Sequence, residues 1–184
     1  NNSRGLNDSG DCNYDVNCPI GSDFDEKKDV IKKAVALLNL GNGFLCSSSL
    51  INTTLNDKTP YLLTANHCLE FSNPSFWSVR FNWMSPSPVC ASEEESLDIQ
   101  TNFTMSGAEL IANNSLSDFA LVRLHNEIPS SWDVAFAGWD NTDNLPSMEV
   151  GIHHPNGDIM KICRDDSGAV KENANGTVSC NESR

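Results

Sequence analysis

A chain of 184 residues, 39% hydrophobic and 20% charged, holds enough material for a packed core. Its net charge of −13 repels phosphate backbones, which excludes nucleic acid as an expected partner. No apolar run approaches the roughly 18 residues that a membrane-spanning helix needs, so no membrane partner is expected either. The opening Asn1-Asn2-Ser3-Arg4-Gly5 lacks the apolar stretch of an export signal, and any such segment is expected to have been removed.

In chain order, Ala34-Val35-Ala36-Leu37-Leu38-Asn39-Leu40 reads as either the end of a helix or a buried strand. Gly41-Asn42-Gly43 supplies the residues that tolerate positive φ in a tight turn, and Phe44 to Ile51 reads as the return strand of a hairpin. Tyr61-Leu62-Leu63-Thr64-Ala65 is a short apolar strand entered through Pro60. From Phe76 to Trp83 apolar and polar residues alternate with the period of a half-buried strand, closed by Pro86 and Pro88. Glu93-Glu94-Glu95 reads as a solvated loop, and Phe119 to Leu124 is apolar enough for a central strand. Trp132 to Trp139 reads as a connector, Met148 to His154 opens a new strand set, and the tail from Arg164 to Arg184 is polar. Many short strands at this spacing predict an all-β barrel or sandwich rather than βαβ units.

Seven cysteines, at positions 12, 18, 46, 68, 90, 163 and 180, form no C-x-x-C pair, which sets aside a zinc ribbon or a dithiol redox motif. Their dispersal predicts disulfides and an oxidising, extracellular compartment, with one thiol left over. No metal or other cofactor is expected: His153 and His154 are neighbours on a strand, so they point to opposite faces and do not share an ion with each other or with His125. Trp77, Trp83, Trp132 and Trp139 read as packing residues. Asn-x-Ser/Thr sequons begin at Asn52, Asn102 and Asn113, among others.

Two residues stand where chemistry is expected. His67 follows the strand Tyr61-Leu62-Leu63-Thr64-Ala65 after Asn66 and precedes Cys68, whose crosslink would hold the imidazole rigid. Asp118 lies immediately before the apolar strand Phe119 to Leu124, where a carboxylate is expected to be partly buried and to need a partner. A histidine and an aspartate at strand edges supply two parts of a nucleophile–base–orienter set.

Thr64-Ala65-Asn66-His67-Cys68 resembles the T-A-x-H-C segment of trypsin-like serine proteases. Phe44-Leu45-Cys46-Ser47-Ser48-Ser49-Leu50-Ile51 is similar to the strand that precedes it, and Asp118 to Leu124 to the strand that carries the catalytic aspartate. Ser9 to Pro19, Ala137-Gly138-Trp139-Asp140 and Ile152 to Asp158 resemble segments of the lysyl endopeptidase branch of that class. The resemblance implies a trypsin-like double β-barrel. Residues 1–135 would form the first barrel with catalytic His67 and Asp118, and 136–184 the linker and first strands of a second barrel. It also implies Cys46–Cys68 and Cys18–Cys90 disulfides, and a downstream partner for Cys12 that this sequence does not contain. Cys163 and Cys180, outside the family pattern, are then expected to pair, leaving Cys12 as the odd thiol.

A trypsin-like enzyme also needs a serine in a Gly-rich turn that builds an oxyanion hole. The one look-alike, Asp165-Asp166-Ser167-Gly168, comes 49 residues after Asp118 with 17 residues following, too few for a specificity pocket. Ser167 is therefore not taken as the nucleophile. The expectation is a secreted serine endopeptidase acting on polypeptides, with its serine in a missing C-terminal part that Cys12 would tie on, and with this segment alone inactive. The competing reading is a non-catalytic protease-like module for binding or adhesion; a module freed from catalysis has no physical need for both His67 and Asp118.

Overall fold

A computed structural model describes residues 9–10, 13–90 and 103–169. Cys12, Glu93 to Glu95, Asn102, Cys180 and most of the polar tail lie outside them. In chain order come β1 (Tyr14–Asp15), α1 (Asp25–Ile31), β2 (Val35–Asn39), β3 (Leu45–Ile51), β4 (Tyr61–Ala65), β5 (Ser78–Phe81), β6 (Thr104–Ser106), β7 (Ala108–Asn114), β8 (Phe119–Leu124), β9 (Glu149–His153) and β10 (Lys161–Asp165). Helix α1 ends in a 3₁₀ turn, Lys32–Ala34, that runs straight into β2, so the ambiguous apolar stretch from Ala34 is strand.

Seven antiparallel strands form one sheet in the order β6-β5-β2-β3-β4-β8-β7. The β2–β3 hairpin turns on Gly41 (φ +79°) and Gly43 (φ +90°), in register with Leu38 opposite Cys46. The two edge strands, β6 and β7, are consecutive in the chain and separated by Gly107 alone. A sheet whose edges are joined by one residue must curl until they meet. Gly107 makes that corner at φ +87°, its N–H donating to Trp77 O at 2.9 Å while its own carbonyl accepts from His125 N–H at 3.0 Å.

Inside the curl lie Ala36, Leu38, Leu50, Leu62, Trp77, Val79, Phe81, Val122 and Leu124, closed over by Trp132 and Phe136 of the connector. A second, three-stranded sheet has the order β1-β10-β9. It packs on the outer side of β2, where Val35 meets Val16, Met160 and Ile162, and Leu37 meets Trp83 and Ile159. Covering on both sides explains why β2 has four consecutive buried residues where β5 alternates. The fold is a partial trypsin-like barrel, with one curled seven-stranded sheet and a second sheet of three strands among the described residues.

Cys18–Cys90 and Cys46–Cys68 are disulfides. Cys163 forms none within the described residues; its thiol faces Gly151 O at 3.8 Å. Lys161 of β10 reaches Asp15 of β1 at 2.5 Å and Asp158 at 3.3 Å, all three side chains buried, which ties the N-terminal segment into the second sheet. Trp77 and Trp83 are core residues, whereas Trp139, read from the sequence as packing, is 58% exposed and donates from Nε1 to Asn52 O at 3.2 Å.

Candidate active site

Strands β4 and β8 pair with Ala65 opposite Phe119, so the residues just beyond, Asn66-His67 and Asp118, leave the sheet at the same end. Asp118 closes the four-residue β7–β8 loop in the left-handed region at φ +51°, a conformation Asp tolerates. Asn114 Oδ1 shapes that loop by accepting from Leu116 and Ser117 N–H at 2.8 and 3.1 Å. On the other strand the chain turns into a 3₁₀ helix, Asn66–Leu69, that presents His67.

Three hydrogen bonds fasten the two turns together. Asn66 N–H donates to Asp118 O at 2.9 Å, His67 N–H to Asp118 Oδ1 at 2.8 Å, and Nδ1 of the imidazole lies 2.7 Å from Asp118 Oδ2. The His67 ring contact, followed by the His67 backbone N–H, holds the Asp118 carboxyl below the usual carboxylate range. An ionised carboxylate only accepts, so Nδ1 carries a proton, and the neutral form of the ring has its lone pair on Nε2. That tautomer is the one a general base needs.

Burial does not hold the pair in place. The side chains are 63% and 50% exposed, so the partly buried carboxylate expected from the sequence is instead a solvent-facing one fixed by hydrogen bonds. Rigidity comes from behind. Cys68 is buried and crosslinked to Cys46 of β3, and Thr64 Oγ1 donates to Ser47 O at 2.9 Å. Asn113 Nδ2 donates to Asn66 Oδ1 at 2.6 Å, bracing the turn from β7. The sequence marks Asn113 only as a sequon, because the bulge at Ile111 that sets its register has no local signature.

The sulfurs of Cys46 and Cys68 and the His67 ring lie within 4.8 Å of one another, but the S–S bond consumes both thiolates. The other histidines do not gather. His154 is buried beneath the second sheet, its N–H donating to Ser47 Oγ at 2.8 Å and its ring stacked on Trp83, whereas His125 is at the surface beside Gly107. Ser167 donates through N–H and Oγ to Asp165 Oδ1 at 2.7 and 2.5 Å, a local turn of its own.

The profile of the lysyl endopeptidase C-terminal domain family matches residues 6–184. The chain belongs to the lysyl endopeptidase family. It is 24% identical over 171 residues to a lysyl endopeptidase from Pseudomonas aeruginosa, across 90% of this chain. The chain spans only 36% of the length of that relative. A protease family and a His–Asp pair in the base-ready tautomer therefore meet in one molecule.

Proposed function

We propose that this lysyl endopeptidase-family chain is the base- and orienter-bearing part of a secreted serine endopeptidase that cleaves polypeptides after lysine or another basic residue. The contact that carries the reading is Nδ1 of His67 against Oδ2 of Asp118 at 2.7 Å, with the His67 N–H on the other carboxylate oxygen. Two bonds from one residue fix ring orientation as well as tautomer.

In the reaction, Nε2 of His67 takes the proton of a serine hydroxyl as that oxygen attacks the scissile carbonyl. Asp118 stabilises the imidazolium that forms. The same imidazolium then protonates the departing amine, and water, deprotonated in turn by His67, releases the acyl group. The serine, the oxyanion hole and the pocket that reads the basic side chain are assigned to a part outside residues 1–184, joined through Cys12. Removing one member of such a set lowers turnover on the order of 10⁴-fold or more, so residues 1–184 by themselves are expected to be nearly inert. The net charge of −13 suits a protein kept soluble by charge, and disulfides suit an extracellular setting.

Intact mass with and without reductant, followed by a serine-directed fluorophosphonate, tests the proposal. The expected result is a second part released by reduction, labelled on one of its serines, with labelling lost in His67→Ala. Asp118→Asn should keep the fold and lower turnover by about 10⁴-fold, because an amide favours the wrong tautomer. Label on Ser167, or no label on the two-part protein, would refute it.

A further inference from the structure

Between β3 and β4 the chain crosses the surface in a loop, residues 52–60, that carries Lys58. Among the described residues, Lys58 is the exposed basic residue that lies outside every helix and strand. Lys27 is in α1, and Lys32 and Lys33 are in the 3₁₀ turn after it. Arg80, Arg123 and Arg164 are in strands, and Lys28 and Lys161 are buried. Proteolysis needs a backbone that can leave its own hydrogen bonds, which favours loops over helices and ladders. Yet the bond from Lys58 to Thr59 is held. Oδ1 of Asp57 accepts from Thr59 N–H at 3.0 Å, Thr59 Oγ1 at 2.8 Å and Thr53 Oγ1 at 2.9 Å, clasping the two ends of the loop across Lys58. Thr59 N–H, followed by the two hydroxyls, keeps the Asp57 carboxyl below the usual carboxylate range. Lys58 itself is in the left-handed region at φ +58°, a conformation that a side chain of this kind rarely adopts without such support.

Resting on the reading of a basic-residue endopeptidase, we infer that Lys58–Thr59 is the bond at which one copy of the enzyme cuts another, and that the Asp57 clasp keeps it closed. A substrate lies extended across a protease cleft with its scissile carbonyl open to attack. At φ +58° Lys58 is not extended, and the N–H of the scissile bond is the one that Asp57 engages. Swinging Lys58 to negative φ carries that N–H off Oδ1, so cleavage waits on local opening of the loop. Once it is open, the serine oxygen of a second copy attacks the Lys58 carbonyl. The C–N bond to Thr59 breaks, and the amine leaves with a proton from His67 of that copy. Water then frees the Lys58 carboxylate. Both disulfides, Cys18–Cys90 and Cys46–Cys68, span position 58, so the cut chain gains one water and stays in one piece until it is reduced.

Residues 1–184 offered to an added lysine-specific endopeptidase test the clasp, read by mass with and without reductant. Asp57→Ala removes the acceptor and should speed cleavage after Lys58 about tenfold, giving fragments 1–58 and 59–184 on reduction. Asp57→Asn, which keeps an acceptor without its charge, should speed it by less. Adding Lys58→Ala to Asp57→Ala should abolish those fragments. Equal rates at Lys58 in parent and variant, or first cleavage of the variant after Lys27, Lys32 or Lys33, overturns the inference. Cleavage at the buried Lys28 and Lys161 would mean that the alanine variant has unfolded, and Asp57→Asn then decides by the same two readings. In the two-part enzyme, Asp57→Ala should nick itself at Lys58, faster at higher concentration, and the parent about tenfold more slowly. An enzyme that cuts other lysyl substrates yet spares Lys58 in Asp57→Ala overturns self-cleavage. One that cuts no basic-residue substrate removes the endopeptidase reading, and the added protease still decides the clasp.

Discussion

At His154 the imidazole is buried between the two sheets. Nδ1–H donates to Asp158 O at 2.9 Å, and Nε2 has no hydrogen-bond partner. Burial pushes its pKa down to about 4, against the smaller opposing pull of the Asp158 carbonyl; His153 and Arg80 add repulsion and the Asp158 carboxylate attraction. A histidine depressed on folding stays neutral in the native state while the unfolded chain takes up a proton near its ordinary value of about 6.5. The penalty it places on the native state is therefore absent above that value. It grows as pH falls through the interval down to about 4 and is constant below. The size is at most about 3 kcal/mol. Denaturant melts at pH 7 and pH 4 should show His154→Gln losing less stability on acidification than the parent by about that amount. Equal losses would show that the imidazole does not set this dependence. Asp118 makes stability fall in the same direction with pH by a different cause, since its lowered carboxyl stabilises the fold above its unfolded value and ceases to as pH falls through the folded one.

Among elements, the 22-residue Cys46–Cys68 link ties β3 to the His67 turn. Replacing both cysteines by alanine should cost about 3 kcal/mol by loop-closure entropy, read as a lower melting temperature. It should also loosen His67, seen as faster amide exchange at residues 66–69, because hydrogen bonds, chiefly those to Asp118 and from Asn113, then hold the turn without a covalent tie. In the second sheet, Lys161→Met removes the ammonium between two buried carboxylates and should cost about 3–5 kcal/mol, whereas Lys33→Met, at an exposed pair with Asp133, should cost less than about 1 kcal/mol. Comparable melting curves for the two variants would contradict the burial argument.

The same scale shows what the sequence discloses. Strands β4, β5 and β8 are legible because each is a local pattern with a local breaker: Pro60 before one, alternation in another, an aspartate before the third. Strand β7 is not, because its Ile111 bulge breaks the period and most of its residues face water. Neither is β1, two residues long and defined wholly by Ile162 and Lys161 across the chain. Helix α1, seven residues of which five are charged, gives no periodic face to read. His67 and Asp118 are readable as a pair because both adjoin apolar strands in a familiar order. Their exposure is not, since it depends on which surfaces the rest of the protein covers.

For the whole molecule, the boundary drawn between residues 135 and 136 follows the chain, whereas the two sheets do not: the later one recruits Tyr14–Asp15 from the beginning. The Lys161–Asp15 contact bridges 146 positions. As a nascent polypeptide emerges, the curled sheet can assemble from residues 35–124, through hairpins such as β2–β3 and β7–β8 and the longer β2–β5 and β4–β8 pairings, while Asp15 waits for a partner not yet made. Closing so large a loop is slow, and its entropy must be met before the contact repays it. Pulse-labelled exchange during refolding should accordingly find amides of β2, β3 and β8 protected first and those of β1 and β10 last. Until that final step the outer side of Val35 and Leu37 stands bare, which makes this seam the place where an interrupted folding reaction would aggregate or be proteolysed.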